Sequence, residues 1–249
     1  MPACRPMLIV ASKHRFEGKP WKNCIALIRK NPTQCLMPGS APMPHLLRVR
    51  YLMVTRRLRA PERRKQILKC ATQVFARSNF RSATTKQIAV ELGISEAAIF
   101  NHFPTKRDIF LAILDHVNAQ ILLRWEEQIA ASEDAATKLR EIGIGYFRSM
   151  KEHPDELKVQ FQAVAEIDDP AIASRLKEHH QCYLDSVERL ILQGIKVGEF
   201  PPETQALSIA YIFDSLGVFS NLMNLLDVEQ FDVPEANRIM DHLLSPLIQ

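Results

Sequence analysis

The chain has 249 residues, 47% of them hydrophobic and 24% charged, with a formal net charge of +4. That supplies apolar material for one large or two modest domains. Five cysteines, none in a C-x-x-C pair, argue against a disulfide framework or a zinc ribbon and fit a reducing cytoplasm. No apolar run is read as approaching the roughly 20 residues of a membrane-spanning helix, and residues 7–11 are too short for a signal peptide.

Charge is unevenly placed. Residues 48–107 carry 14 Lys and Arg against 3 Asp and Glu, a net of +11, whereas residues 108–249 carry 11 against 24, a net of −13. The first stretch suits a polyanion and the second repels one. A basic stretch is as often plain solvated surface, so charge alone leaves both readings open.

In chain order, residues 1–55 are rich in proline and lack a sustained helical period, which predicts a disordered extension. Translation starting at Met53 would leave most of it out of the native protein. From Ala60 the period becomes helical and the predicted class is all-α. Pro61 and Glu62 suit a first helical turn, and Ile67, Leu68, Ala71, Val74 and Phe75 trace one face. Thr84 with Gln87 and Thr105 with Asp108 have cap spacing, and Ser95 suits a third N-cap. Ile109, Phe110, Ile113, Leu114, Val117 and Ile121 predict a long helix from about residue 106 to 130. Later starts are read at Pro154, Pro170, Pro202 and Pro234, with Gly198 as a stop, for about nine helices.

The most informative stretch is Thr84 to Asp108. Two short helices flank Gly93, with Ala89 small where they would cross and glycine free to take a left-handed turn. Ile88, Leu92, Ile94, Ile99 and Phe103 would form a small core against Phe75. The second helix could then offer Ser95, Glu96, Ala97, Ala98, Asn101 and His102 to a major groove. Asn101 could pair with adenine, Glu96 accept from cytosine, and Ala97 or Ala98 touch a thymine methyl. Thr84, Thr85, Lys86 and Lys106, at helix starts, are candidates for phosphate. Arg56, Arg57 and Arg59 could reach a minor groove or only screen phosphates. Glu96 could equally be an acid at a helix start, and His102 a packing residue.

The run Ile88-Ala89, Leu92-Gly93-Ile94-Ser95, Ile99-Phe100, His102-Phe103, Lys106 and Ile109 resembles the DNA-binding domain of TetR-family regulators, over roughly Glu62 to Val117. The resemblance implies a three-helix head at residues 56–107 and a helical effector-binding and dimerisation domain at residues 108–249. It departs at Ala97, where the family usually has glycine, and at Phe100, where it usually has a tyrosine whose hydroxyl touches phosphate. Phe100 would instead pack or make an apolar groove contact.

The second domain offers Tyr146, Phe147, Met150, Phe161, Val164, Tyr183, Leu184, Phe213 and Phe219 as apolar cavity candidates, with Gln162, Glu166 and Asn221 as polar ones. Many of these would simply be core. His179 and His180 point about 100° apart on a helix, which disfavours a shared metal, and no cofactor is expected. No nucleophile–base signature or phosphate loop is seen, so no enzyme is expected. Ala206, Ile209, Ala210, Phe213, Leu216 and Gly217, with Ile239, Leu243 and Leu247, form stripes expected to pair with a second copy. The expected partners are therefore duplex DNA with a palindromic operator, a largely apolar small effector and a second subunit, with no membrane. An activator or a DNA-binding factor without an effector is the alternative.

Overall fold

The structure, a computed structural model, describes residues 59–247. The expected extension and two of the three arm arginines, Arg56 and Arg57, lie outside the described residues. The described residues form one compact unit. Among the described residues there are nine α-helices and no strand: α1 (Ala60–Ser82), α2 (Thr85–Leu92), α3 (Glu96–Phe100), α4 (Lys106–Ala131), α5 (Ala135–Glu152), α6 (Pro154–Ala165), α7 (Pro170–Val197), α8 (Ala206–Leu225) and α9 (Val233–Leu244).

The helix starts follow their caps. Thr84 and Thr105 each accept from the third backbone N–H of the helix, while Gln87 and Asp108 reach back in two reciprocal capping boxes. Ser95, Asp134, Asp169 and Asp232 cap α3, α5, α7 and α9. The start read at Pro202 is displaced: the Pro201 carbonyl accepts from Thr204 in a turn, and α8 opens at Ala206. Gly198 ends α7 with φ 81°, as expected of a left-handed stop.

α1, α2 and α3 form a small head, and α4 to α9 a larger body. The head's core is Ile67, Ala71, Val74, Phe75, Ile88, Ile99 and Phe103, all buried. α4 runs for 26 residues from the head into the body, so the expected boundary at residue 107 falls within its first turn. In the body, α8 packs on α7 and α5, and α9 packs on α5.

Two features were not foreseen. α1 is broken at Asn79, which takes φ 59° and ψ 167° and whose side chain accepts from the backbone N–H of Ser82. That conformation is strained for a residue with a Cβ, and it re-aims the last turn of α1. The second is α8. By length and composition Ala206–Leu225 suffices to cross a membrane, with only 22% of its apolar window buried. Ser208, Asp214 and Ser215 interrupt the apolar run and disguise it in the sequence. One side of α8, through Ala206, Ala210 and Phe213, faces the core. The other leaves Leu207, Tyr211, Val218, Leu222 and Leu226 exposed.

Candidate nucleic-acid interface and effector cavity

The helix-turn-helix is built on Gly93. It ends α2 at φ 63°, while its N–H donates towards the Ala89 and Val90 carbonyls and Ile94 N–H returns to Ala89 at 3.0 Å. The left-handed turn sets α3 across α2, with Ala89 buried beneath the crossing. Arg64 of α1 lies 3.9 Å over the Phe103 ring and donates to the His102 carbonyl at 2.8 Å, which fastens the far end of α3 to α1. Arg64 escaped the sequence reading because it sits among several basic residues of one helix.

The outer face of the head carries Thr84, Lys86, Ser95, Ala97, Phe100 and Asn101 exposed, with Ala98 and His102 half-buried. Asn101 follows the last residue of α3, and its side chain is open to solvent. Phe100 is 45% exposed, an apolar ring on a polar face. Three of the expected DNA residues are engaged within the protein. Thr85 is buried and its hydroxyl donates to the Glu96 carboxylate, so each occupies the other rather than a phosphate or a cytosine. Lys106 Nζ donates to the carbonyls of Phe80 at 2.7 Å, Arg81 at 3.2 Å and Ala83 at 2.9 Å. It closes the carbonyl end of α1, and burial lowers its pKa. That geometry gives the ammonium a place inside the head, beside the phosphate role expected for it.

A prediction follows for Lys106→Met. Loss of three charge-assisted hydrogen bonds should lower stability by about 1–3 kcal/mol. DNA affinity should fall because the head loosens, while the slope of log affinity against log salt stays unchanged. A slope smaller by about one unit would return Lys106 to the phosphate contacts.

Head and body meet along α1, α4 and α6. Phe110 on α4 stacks near Phe75 and Phe80, with ring centroids 5.5 and 4.4 Å away. Gln162 of α6 donates to the Phe75 carbonyl at 2.9 Å. Arg81 pairs with Glu166 just past the end of α6 at 2.8 Å, and Arg107 with Asp169 at 3.1 Å. Gln162 and Glu166 thus lie on the head–body seam, not in the cavity where they were expected.

The body holds a cavity of about 200 Å³. Its walls include Tyr146, Phe147, Phe161, Val164, Tyr183, Phe213 and Asn221 from the expected set, joined by Trp125, His179, His180 and Asp214. Met150 is fully buried in the core instead, and Phe219 is 44% exposed against Phe231. Trp125 was missed because its helix was read only for its aliphatic stripe. The two histidines diverge as expected: His179 meets Asp115 at 3.2 Å and His180 meets Asp214 at 2.8 Å. Asn221 donates to the Tyr146 hydroxyl at 2.6 Å. Burial pushes the Tyr146 phenol up to about 12 and raises that of Tyr183 as well, so both stay neutral.

The hydrogen bond from His180 to Asp214 raises the imidazole pKa, opposed by burial and helped by the aspartate's charge. A raised folded pKa contributes stability below the unfolded value of about 6.5 and loses it as pH climbs through the folded value. The melting temperature of the wild type should therefore exceed that of Asp214→Asn most at mildly acidic pH, with the gap narrowing towards pH of about 8.5. A gap independent of pH would show that the pair does not titrate.

A basic head that presents a helix-turn-helix is continuous with a helical body holding a cavity. Residues 67–113 match the family described as "Bacterial regulatory proteins, tetR family", so the head is a DNA-binding domain of the TetR type. It is 34% identical over 76 residues to the nucleoid occlusion factor SlmA of Shewanella frigidimarina, covering 30% of this chain and 39% of that protein. The SlmA of Pasteurella multocida is 24% identical over 137 residues, or 55% of this chain and 65% of the relative. The chain thus spans under two thirds of the length of either relative. In fold it is similar to the regulator FadR from Bacillus subtilis, solved in complex with stearoyl-CoA. The TM-score is 0.66 at 20% identity, over 73% of this chain and 97% of that one.

Proposed function

We propose that the protein is a homodimeric, ligand-responsive repressor that grips a palindromic operator with two copies of α3. The observation that carries this reading is the double duty of α6. Phe161 and Val164 line the cavity, while Gln162, and Glu166 just past the helix end, hold the head. A ligand that displaces the first pair moves the second. Binding to one spacing of the heads in preference to another then shifts the population off DNA.

On this reading residues 56–107 are the DNA-binding head, working in the cytoplasm, and residues 108–249 the sensor. Lys86, Ala97, Phe100 and Asn101 meet the duplex, with Thr84 and Ser95 at the helix starts. The exposed stripe of α8, together with α9, pairs with a second copy. Effectors differ among similar folds, as stearoyl-CoA in the FadR structure illustrates.

The SlmA likeness raises the alternative of a DNA-binding factor without a small effector. The cavity favours the sensor reading. The test is footprinting of the purified full chain on genomic DNA, followed by titration of a bound site. Palindromic sites with two half-sites support the proposal, and failure to bind duplex DNA in dilute buffer overturns it. A Gln162→Ala/Glu166→Ala variant should still bind the operator but respond weakly to an effector. An undiminished response would remove α6 as the link.

A further inference from the structure

The cavity's polar groups restrict the charge and hydrogen bonding of what it can hold. Its ionisable side chains are matched inside the protein. His180 pairs with Asp214, and His179 with Asp115, which also accepts from Arg175. Neither histidine nor Asp214 lacks a partner at the cavity wall; Arg124, outside the wall but near enough to act on the Tyr146 phenol, keeps a buried Nη2 without one. A charged ligand would enter a largely apolar space with no unpaired opposite charge on its lining.

The neutral groups are not all matched. Asn221 is 6% exposed, and its Oδ1 has no hydrogen-bond partner. Trp125 is likewise 6% exposed, and its indole Nε1 has none either. Both residues line the cavity. One is an unsatisfied acceptor and the other an unsatisfied donor, and buried groups of this kind ordinarily find partners.

The Asn221–Tyr146 contact adds to this. With the amide nitrogen donating to the phenol oxygen, the phenol proton and Oδ1 are both free. With the amide turned over, the phenol donates to Oδ1 and the amide N–H₂ is free beside a phenol lone pair. Either way the pair offers one donor and one acceptor side by side.

Resting on the sensor reading above, we infer that the effector is a neutral molecule whose polar end both donates and accepts a hydrogen bond, a hydroxyl or an amide on a small apolar body. A carboxylate only accepts and an ammonium only donates, so each leaves one wall group unmatched as well as carrying a charge. The space of about 200 Å³ is somewhat larger than a cavity that holds benzene, which sets the size at roughly ten non-hydrogen atoms.

The experiment is isothermal titration of the full chain with 1-octanol, octanoate and octylammonium, which share a chain and differ in their polar end. Octanol should bind at least about tenfold more tightly than either ion. Tyr146→Phe, which removes only the hydroxyl, should weaken octanol by roughly tenfold. Asn221→Leu should act in the same direction. Octanoate or octylammonium binding as tightly as octanol overturns the inference, as does octanol binding that is unaltered in Tyr146→Phe, or no binding by any of the three. None of these readouts involves DNA. Octanol that binds as described yet leaves operator affinity untouched upholds the cavity chemistry and overturns the repressor reading. An octanoate that releases DNA does the reverse.

Discussion

Leu222→Arg is expected to convert the protein to a monomer and to lower operator affinity by about a hundredfold or more. Leu222 belongs to the exposed stripe formed by Leu207, Tyr211, Val218 and Leu222 on α8 and by Leu226 just past its end. Tyr211 is 58% exposed and Leu226 62%, large apolar surfaces for a helix that otherwise packs on α7 and α5. Such a patch marks an association surface. An unpaired guanidinium within that surface would cost about 3–5 kcal/mol in the assembled form. The isolated subunit would lose little, because Leu222 is already 41% exposed. Light scattering should therefore report half the mass, with helical content by circular dichroism unchanged. A dimer of unaltered mass would place the interface elsewhere.

Phe110→Ala should be the most destabilising single truncation at the joint between head and body, by about 3–5 kcal/mol. Phe110 is fully buried on α4 and touches both Phe75 and Phe80, one on each side of the break at Asn79. Its removal would leave a cavity where the kinked end of α1, held by Lys106, rests on the long helix. For a protein of this size the melting temperature should fall by about 6–20 °C. Chemical denaturation gives the free energy directly. A loss below about 1 kcal/mol would mean that the ion pairs and the α6 contact hold the head without this ring.

The parts of the fold legible in the sequence are those set by local chemistry. Thr84 with Gln87 and Thr105 with Asp108 announce their helices because both halves of each cap lie within four residues. Gly93 announces the turn for the same reason. Lys106 is not legible: nothing near it in sequence reveals that three carbonyls more than 20 residues upstream need a donor. Glu96 reads as a base contact until α2 brings the Thr85 hydroxyl to it. The orientation of α8 is ambiguous in principle. Both of its faces are apolar, so periodicity offers two stripes. The sequence reading gave the partner subunit Ala206, Ala210 and Phe213, which the body itself buries. Gln162 and Glu166 are polar residues beside cavity-lining ones, and only the crossing of α6 over α1 assigns them to the seam.

The continuity of α4 makes it a lever. Its 26 residues span about 39 Å, with the head fastened at one end through Phe110 and Lys106. A tilt of about 5° about the far end would carry the head by about 3.4 Å, the rise of a single base-pair step. In the proposed dimer, a motion that small in each subunit would be enough to put two recognition helices out of phase with successive grooves.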